Sequence, residues 1–281
     1  MGLPVIRALV GAGDDVVAWD PDAVALARAA SAGAAVADGV ARAAASADVL
    51  VTVLPGVGEA AGAMAEALPA LRDGSLWLDL TSNDPRAVER IAGLAASRRI
   101  DVVGAPMGGG AAAALAGKLH FFVGGTESAV GRARPLLETL GTVDHVGEPV
   151  GAGYTAKLLA NLLWFGQVVA VTEALLLGQS LGLSPAILRA TLARSAGGSV
   201  FIDEYLDSLL DGDYLASFGI DRCVEELDIL ASLARDAAVP FELSALVGRL
   251  HREALERFGA VDGELLAAKL LEERAGRTLR R

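Results

Sequence analysis

The chain has 281 residues, 53% apolar but only 5% aromatic, and its 24 basic and 35 acidic residues leave a net charge of −11. That length admits two domains with sizeable cores, while the negative charge argues against a nucleic-acid surface or an anionic membrane face. The single cysteine, Cys223, excludes an internal disulfide framework and suits a reducing cytoplasm, and the scattered His120, His145 and His251 lack metal-ligand spacing.

The opening MGLPVIRALVGAGDDVVAWD reads as an amphipathic helix from Leu3 to about Val10, a Gly-containing turn, and an apolar run, Val16 to Asp20, expected to be a buried parallel strand. AVALARAASAG has helical spacing. DVLVTVLP (Asp48 to Pro55) is the next strand, followed by a helix through about Leu71 and the strand SLWLDL (Ser75 to Leu80). PRAVERIAGLAASRR supplies another helix, with Pro85 in its first turn. The strands DVVGAP and LHFFVGG follow. This alternation predicts an α/β, doubly wound, mostly parallel sheet over residues 1–150. From about Gly151 the chain reads as helical throughout, an all-α domain over residues 151–281.

The segment Leu158 to Leu183 is long and apolar enough to suggest a membrane span. Asn161, Gln167 and Glu173 interrupt it, however, and a helix apolar on nearly all sides also suits the buried core of a two-domain or dimeric protein. The second reading is the expectation here.

The first helix, the following strand and its terminal acid match the second part of a dinucleotide-binding unit. In that unit a strand leads through G-x-G-x-x-G into a helix whose N-terminus holds the pyrophosphate. Gly2 then stands as the third glycine, and Asp20, 18 residues on, as the acid that binds the ribose. The pattern predicts a further strand and two glycines upstream of Met1, roughly ten residues in all; otherwise Gly2 is a coincidence.

Several motifs in order carry a resemblance to a family. MGLPVIRAL is similar to the second half of G-x-G-x-M-G-x-P-M-A, and VTVLPGVGEA to an apolar strand ending in Leu-Pro, here Leu54 and Pro55. LDLTSNDP resembles D-x-S-T-x-x-P, and VGAPMGGGAAAALAGKLHFFVGG resembles D-A-P-V-S-G-G…G-x-L…V-G-G. GAGYTAKLLAN resembles G-A-G-x-x-x-K-x-x-x-N. Together these resemble the β-hydroxyacid dehydrogenases, the group of 3-hydroxyisobutyrate dehydrogenase, tartronate semialdehyde reductase and 6-phosphogluconate dehydrogenase. The resemblance implies a Rossmann-like domain lacking its first strand, followed by a helical domain that serves substrate binding and dimerisation. It implies cofactor contacts from Gly2, Leu3, Pro4, Asp20, Leu54, Pro55, Thr81 and Ser82, and a substrate loop at Gly108, Gly109 and Gly110. It also makes Lys157 the catalytic lysine and Asn161 its partner.

Independently of any family, Lys157 and Asn161 lie four positions apart and share one face of a helix. A lysine at the start of so apolar a helix is costly without a partner or a task. Its ammonium can protonate a carbonyl oxygen as hydride arrives and recover the proton in reverse. The bland reading is a stem that snorkels along apolar surface. Gly108–Gly110 likewise reads either as a nest of backbone amides for an anionic group or as a flexible connection.

Two positions depart from the family pattern. Gly108 replaces a serine that helps hold the substrate carboxylate, and Glu225-Glu226-Leu227 replaces Lys-Asp-Leu. Glu225 at a position facing substrate or cofactor would oppose a carboxylate, since like charges near 4 Å cost on the order of 1–4 kcal/mol; alternatively it lies on the surface. Asp20 favours NAD over NADP because it repels a 2′-phosphate and Pro21 follows it, although Arg28 can compensate.

The expected activity is NAD(P)-dependent hydride transfer to or from a small 3-hydroxy acid or related carbonyl compound, in a cytoplasmic homodimer formed through the helical domain. An imine reductase-like enzyme and a non-catalytic dimeric scaffold are the alternatives. The basic tail is read as favouring the dipole of the last helix and nothing more.

Overall fold

A computed structural model describes residues 1–216 and 218–281. It divides into two compact units, Met1–Lys157 and Leu158–Arg281, with the division inside one long helix.

The first unit opens on α1 (Gly2–Ala12), whose buried face is Val5 and Leu9. The next strand, β1 (Val17–Ala18), is shorter than the apolar run Val16 to Asp20 suggests, and it is not buried. Among the described residues β1 pairs only with β2 (Ala35–Val36), in parallel, so one edge stays open and Val17 is 43% exposed. Between them lies α2 (Ala23–Ser31), capped by the Asp22 carboxylate, which accepts from the Val24 amide at 2.9 Å.

A separate six-stranded sheet forms the centre of this unit. β3 (Val49–Thr52), β4 (Leu76–Asp79) and β5 (Asp101–Gly104) run parallel and side by side. The helices α3 (Val40–Ala45), α4 (Val57–Ala70) and α5 (Pro85–Ala96) alternate with them. The start of α5 is written locally: the Asp84 carboxylate caps the Arg86 amide at 2.8 Å, and Pro85 occupies the first turn, where no N–H is needed. Beyond β5 the sheet is mixed. β7 (Leu119–Gly124) runs antiparallel to β5 and to the short β6 (Met107–Gly108), and β8 (Gly141–Gly147) pairs with β7 in parallel. The helices α6 (Gly110–Ala116) and α7 (Glu127–Leu140) flank β7 in the chain. β2, β6 and β8 are not legible as strands in the sequence. Two are only two residues long, and β8 is largely solvent-facing, so its pattern carries little apolar signal.

The long helix α8 (Gly151–Ser180) bridges into the second unit, which contains α9 (Pro185–Leu192), a π-helical turn (Phe201–Tyr205) and α10 (Leu206–Asp211). It closes with α11 (Ile220–Asp236), α12 (Glu242–Phe258) and α13 (Leu266–Ala275). Phe165, Phe201, Leu209, Ile220 and Leu265 lie in its core. His251 is enclosed there, and burial pushes its imidazole down to about 4, so it is neutral at pH 7.

In the single chain 39% of the most apolar stretch of α8 is enclosed, and Leu159, Leu163 and Leu177 stand at least half exposed along one flank. One expectation is corrected in this unit. The terminal arginines do more than complement a helix dipole. Arg280 reaches Glu272 Oε1 at 3.2 Å and the Tyr214 hydroxyl at 3.2 Å, and Arg281 pairs with Asp211 at 2.7 Å. Glu272 also accepts from the buried Leu279 amide at 2.6 Å, so the tail is tied into the helical core.

Candidate active site

A buried polar network of the first unit lies at the carboxyl ends of β3 and β4, where ligands of open α/β sheets bind. At its centre is Asp79, the last residue of β4, fully enclosed. Its Oδ1 accepts from the Thr52 hydroxyl at 2.7 Å and from the Thr81 amide at 3.1 Å, and its Oδ2 accepts from the Tyr154 hydroxyl at 2.7 Å. Trp77 Nε1 donates to Thr52 Oγ1 at 2.9 Å, completing the buried network. Burial raises the Asp79 carboxyl above its ordinary value, and donors from Thr81, Thr52 and Tyr154 pull it partway back. The Tyr154 phenol is pushed well above its ordinary value by burial and by the adjoining carboxylate, so it remains a donor.

This network joins two of the expected cofactor residues. The Leu54 amide donates to Thr81 Oγ1 at 3.1 Å, so the chain segments leaving β3 and β4 are bonded to each other. Leu54 and Ser82 are half-buried, Pro55 is exposed and Thr81 is buried. Asp20 lies just past β1, exposed, with Oδ1 accepting from the Asp22 amide at 2.9 Å. Gly2, Leu3 and Pro4 form the half-buried first turn of α1.

The G-A-G stretch acquires a packing reason. α8 begins so close to the ends of β5 and β7 that a Cβ on Gly153 would overlap the Phe122 carbonyl oxygen and lie 2.9 Å from that of Gly104. A Cβ on Gly124 would lie 2.6 Å from the carbonyls of Pro149 and Val150. Glu89 of α5 accepts from the Gly151 amide at 2.7 Å, one of the donors a helix start leaves without an intrahelical partner. Lys157, half-buried, sits one turn beyond Tyr154 on the helix seated this way.

The glycine run is neither an open loop nor a loose connection. Gly108 is in β6 opposite His120, and Gly109 (φ 96°) and Gly110 (φ 66°) turn the chain into α6. Both adopt left-handed backbone that favours glycine.

In the helical unit, Asn161 Nδ2 donates to Glu226 Oε2 at 2.5 Å, and Glu226 is buried. Of the two adjacent acids it is thus Glu226 that meets Asn161. Glu225 is half-exposed and accepts from Arg222 Nη1 at 2.8 Å, which offsets its charge. Among the described residues no group of three or more His, Cys, Asp or Glu is arranged to hold a metal ion.

Sequence reasoning did not single out Asp79, Thr52, Tyr154 or Glu226 as a partner of Asn161. The available signal was an acid closing an otherwise apolar strand, which at a sheet's carboxyl end points to a site.

Residues 1–149 match the family model of the NAD binding domain of 6-phosphogluconate dehydrogenase, and residues 151–271 match that of the NAD-binding region of NADP-dependent 3-hydroxyisobutyrate dehydrogenase. The chain is 33% identical to 3-hydroxyisobutyrate dehydrogenase of Pseudomonas aeruginosa, over 73% of this chain and 70% of that protein. It is 29% identical to 2-(hydroxymethyl)glutarate dehydrogenase of Eubacterium barkeri, over 89% and 84% respectively. Among solved structures, Mycobacterium tuberculosis 3-hydroxyisobutyrate dehydrogenase with L-serine superposes with a TM-score of 0.88 at 28% identity, covering 96% of this chain and 95% of that one. An imine reductase from Streptomyces aurantiacus shares the fold alone, at 0.64 and 19%, over 96% of this chain and 95% of that one. The ordered motifs, the α/β unit with its helical continuation and these matches agree: the chain belongs to the β-hydroxyacid dehydrogenase family of NAD(P)-dependent oxidoreductases.

Proposed function

We propose that this protein oxidises the hydroxyl carbon of a small 3-hydroxy carboxylic acid, or reduces the corresponding aldehyde, with Lys157 as general acid/base. The observation that carries the reading is the buried network at the ends of β3 and β4. It bonds Leu54 to Thr81 and fastens both to the helix of Lys157.

The residues present fit a dinucleotide. Asp20 is exposed just past β1, as an acid that binds ribose hydroxyls must be, and a Cβ on Gly2 would meet nothing within 4 Å, so the first turn of α1 is open to an anion. Leu3, Pro4, Leu54, Pro55, Thr81 and Ser82 would border the cofactor. Asp20 favours NAD over NADP. When bound, the nicotinamide accepts or returns the hydride. Lys157 as a neutral amine takes the hydroxyl proton during oxidation, and as an ammonium gives it back to the carbonyl oxygen during reduction. Asn161, its amide oriented by Glu226, assists at the same oxygen. Gly108, Gly109 and Gly110, and separately Glu225 with its partner Arg222, would contribute to substrate binding.

Fluorescence titration with NADH and NADPH is expected to show at least tenfold tighter binding of NADH, followed by turnover of 3-hydroxyisobutyrate, 2-(hydroxymethyl)glutarate or L-serine with NAD. An absence of binding to either cofactor would end the reading.

The second copy in a homodimer would cover the α8 stripe of Leu159, Leu163 and Leu177, with Leu181, 73% exposed, just beyond it. A single-helix stripe of this kind is self-complementary about a two-fold axis, as an isologous interface requires. We place the dimer in the cytoplasm, where the free Cys223 thiol stays reduced. Sedimentation should give a dimer at micromolar concentration and a monomer for Leu163→Glu. A wild-type monomer would rule the interface out.

A further inference from the structure

We infer that Asp79 and Tyr154 form a positioning pair that sets Lys157 against the nicotinamide-side segments leaving β3 and β4. This inference rests on the reading of Lys157 given above.

Asp79 ends β4, and its carboxylate accepts from Thr52 at the end of β3 and from the Thr81 amide, two residues further along its own strand direction. Thr81 in turn accepts the Leu54 amide. Every one of these contacts lies on the side of the sheet where the cofactor is expected. The remaining Asp79 oxygen is engaged by Tyr154, 75 residues away in sequence and in the first turn of α8. One enclosed carboxylate therefore bonds to both strand-end segments and to the helix that bears Lys157.

The geometry gives that link a reach of one helical turn. Tyr154 and Lys157 are three residues apart, about 4.5 Å along the axis of a regular α-helix, so whatever fixes the phenol fixes the lysine backbone. Gly104, Gly124 and Gly153 allow the close approach of α8 but do not orient it, since glycine offers no side chain to grip. The hydrogen bond from Tyr154 is short, directional and shielded from water, which makes it an orienting contact, beside the bond from the Gly151 amide to Glu89. General acid/base transfer tolerates little misplacement: about 1 Å is enough to cost on the order of 100-fold in rate. The pair is thus built to hold a distance, and neither member needs to touch substrate.

Tyr154→Phe isolates this role, because the ring keeps its packing and only the hydroxyl is lost. Kinetics at saturating NAD and 3-hydroxy acid, cofactor affinity, thermal midpoint and amide hydrogen exchange are measured on the variant and the wild type. The expected result is a kcat about tenfold lower, with KM for both ligands and NADH affinity within twofold, a midpoint lowered by roughly 2–10 °C with the protein still folded at the assay temperature, and faster exchange at the Leu54 and Thr81 amides. Asp79→Asn, which also weakens the strand-end clamp, is expected to lower kcat further and to weaken NADH binding. An unchanged kcat in Tyr154→Phe, or a loss accounted for by unfolded protein, overturns the inference while leaving the dehydrogenase reading intact. If the wild type itself binds NADH but turns over no 3-hydroxy acid, that reading falls instead. The pair is then judged on exchange alone, and unchanged protection at Leu54 and Thr81 refutes it.

Discussion

Lys157→Met should lower kcat by about 1000-fold while leaving NADH affinity within twofold of the wild type. Methionine keeps an unbranched stem of similar length, so the packing of α8 around this half-buried position survives and only the titratable amine disappears. General acid/base catalysis is worth typically 10²–10⁴-fold, and a 1000-fold loss corresponds to about 4 kcal/mol of transition-state stabilisation. Without the amine, oxidation would have to give up the hydroxyl proton to water and reduction would leave an unprotonated alkoxide, and both raise the barrier. Lys157→Arg is the sharper control. Guanidinium retains the charge but holds its proton far above neutral pH, so a merely electrostatic role would survive the change and a proton-transfer role would not. Partial rescue of Lys157→Met by millimolar methylamine would identify the missing group as an amine. A variant retaining more than a tenth of wild-type kcat would remove Lys157 from the mechanism.

Gly153→Ala is expected to be among the most damaging single methyl additions in the α/β unit, at about 3 kcal/mol. Its Cβ would overlap the Phe122 carbonyl and crowd the Gly104 carbonyl at 2.9 Å and the Gly124 amide at 3.0 Å. All three obstacles are backbone at the ends of β5 and β7, so no rotamer change relieves them. α8 would have to lift from the sheet, taking Tyr154 away from Asp79 and moving Lys157. For a protein of this size that cost lowers the thermal midpoint by roughly 6–12 °C. Gly166→Ala, in the same helix, is the internal control. Its added Cβ meets nothing within 4 Å, so only helix propensity changes, and a stabilisation of about 0.5–1 kcal/mol is expected. Differential scanning calorimetry on the two variants separates these outcomes, and a Gly153→Ala midpoint equal to that of the wild type would show that the close approach of α8 is not needed.

Local chemistry determined a large part of this protein. The Asp84 cap with Pro85 in the first turn sets the start of α5, and the apolar runs ending at Thr52, Asp79 and Gly104 become the three parallel strands. The alternation of strands with helices and the change to all-helical sequence near Gly151 yielded the two-part architecture, because periodicity and capping act within a few residues of each other. The motif residues Leu54, Thr81, Lys157 and Asn161 were likewise legible, since their spacing is carried along the chain. What those residues bond to was decided only by the tertiary structure. Asp79 meets Thr52 across 27 residues and Tyr154 across 75, and Asn161 meets Glu226 across 65. No local preference encodes such pairings. They exist because folding takes a carboxylate out of water, and an enclosed carboxylate must be met by donors from whatever elements the topology brings beside it. The same holds for the short β2 and β6, the solvent-facing β8, and the arginine tail latched to Tyr214 and Asp211. Each is stabilised by a neighbour distant in sequence, and none by its own pattern.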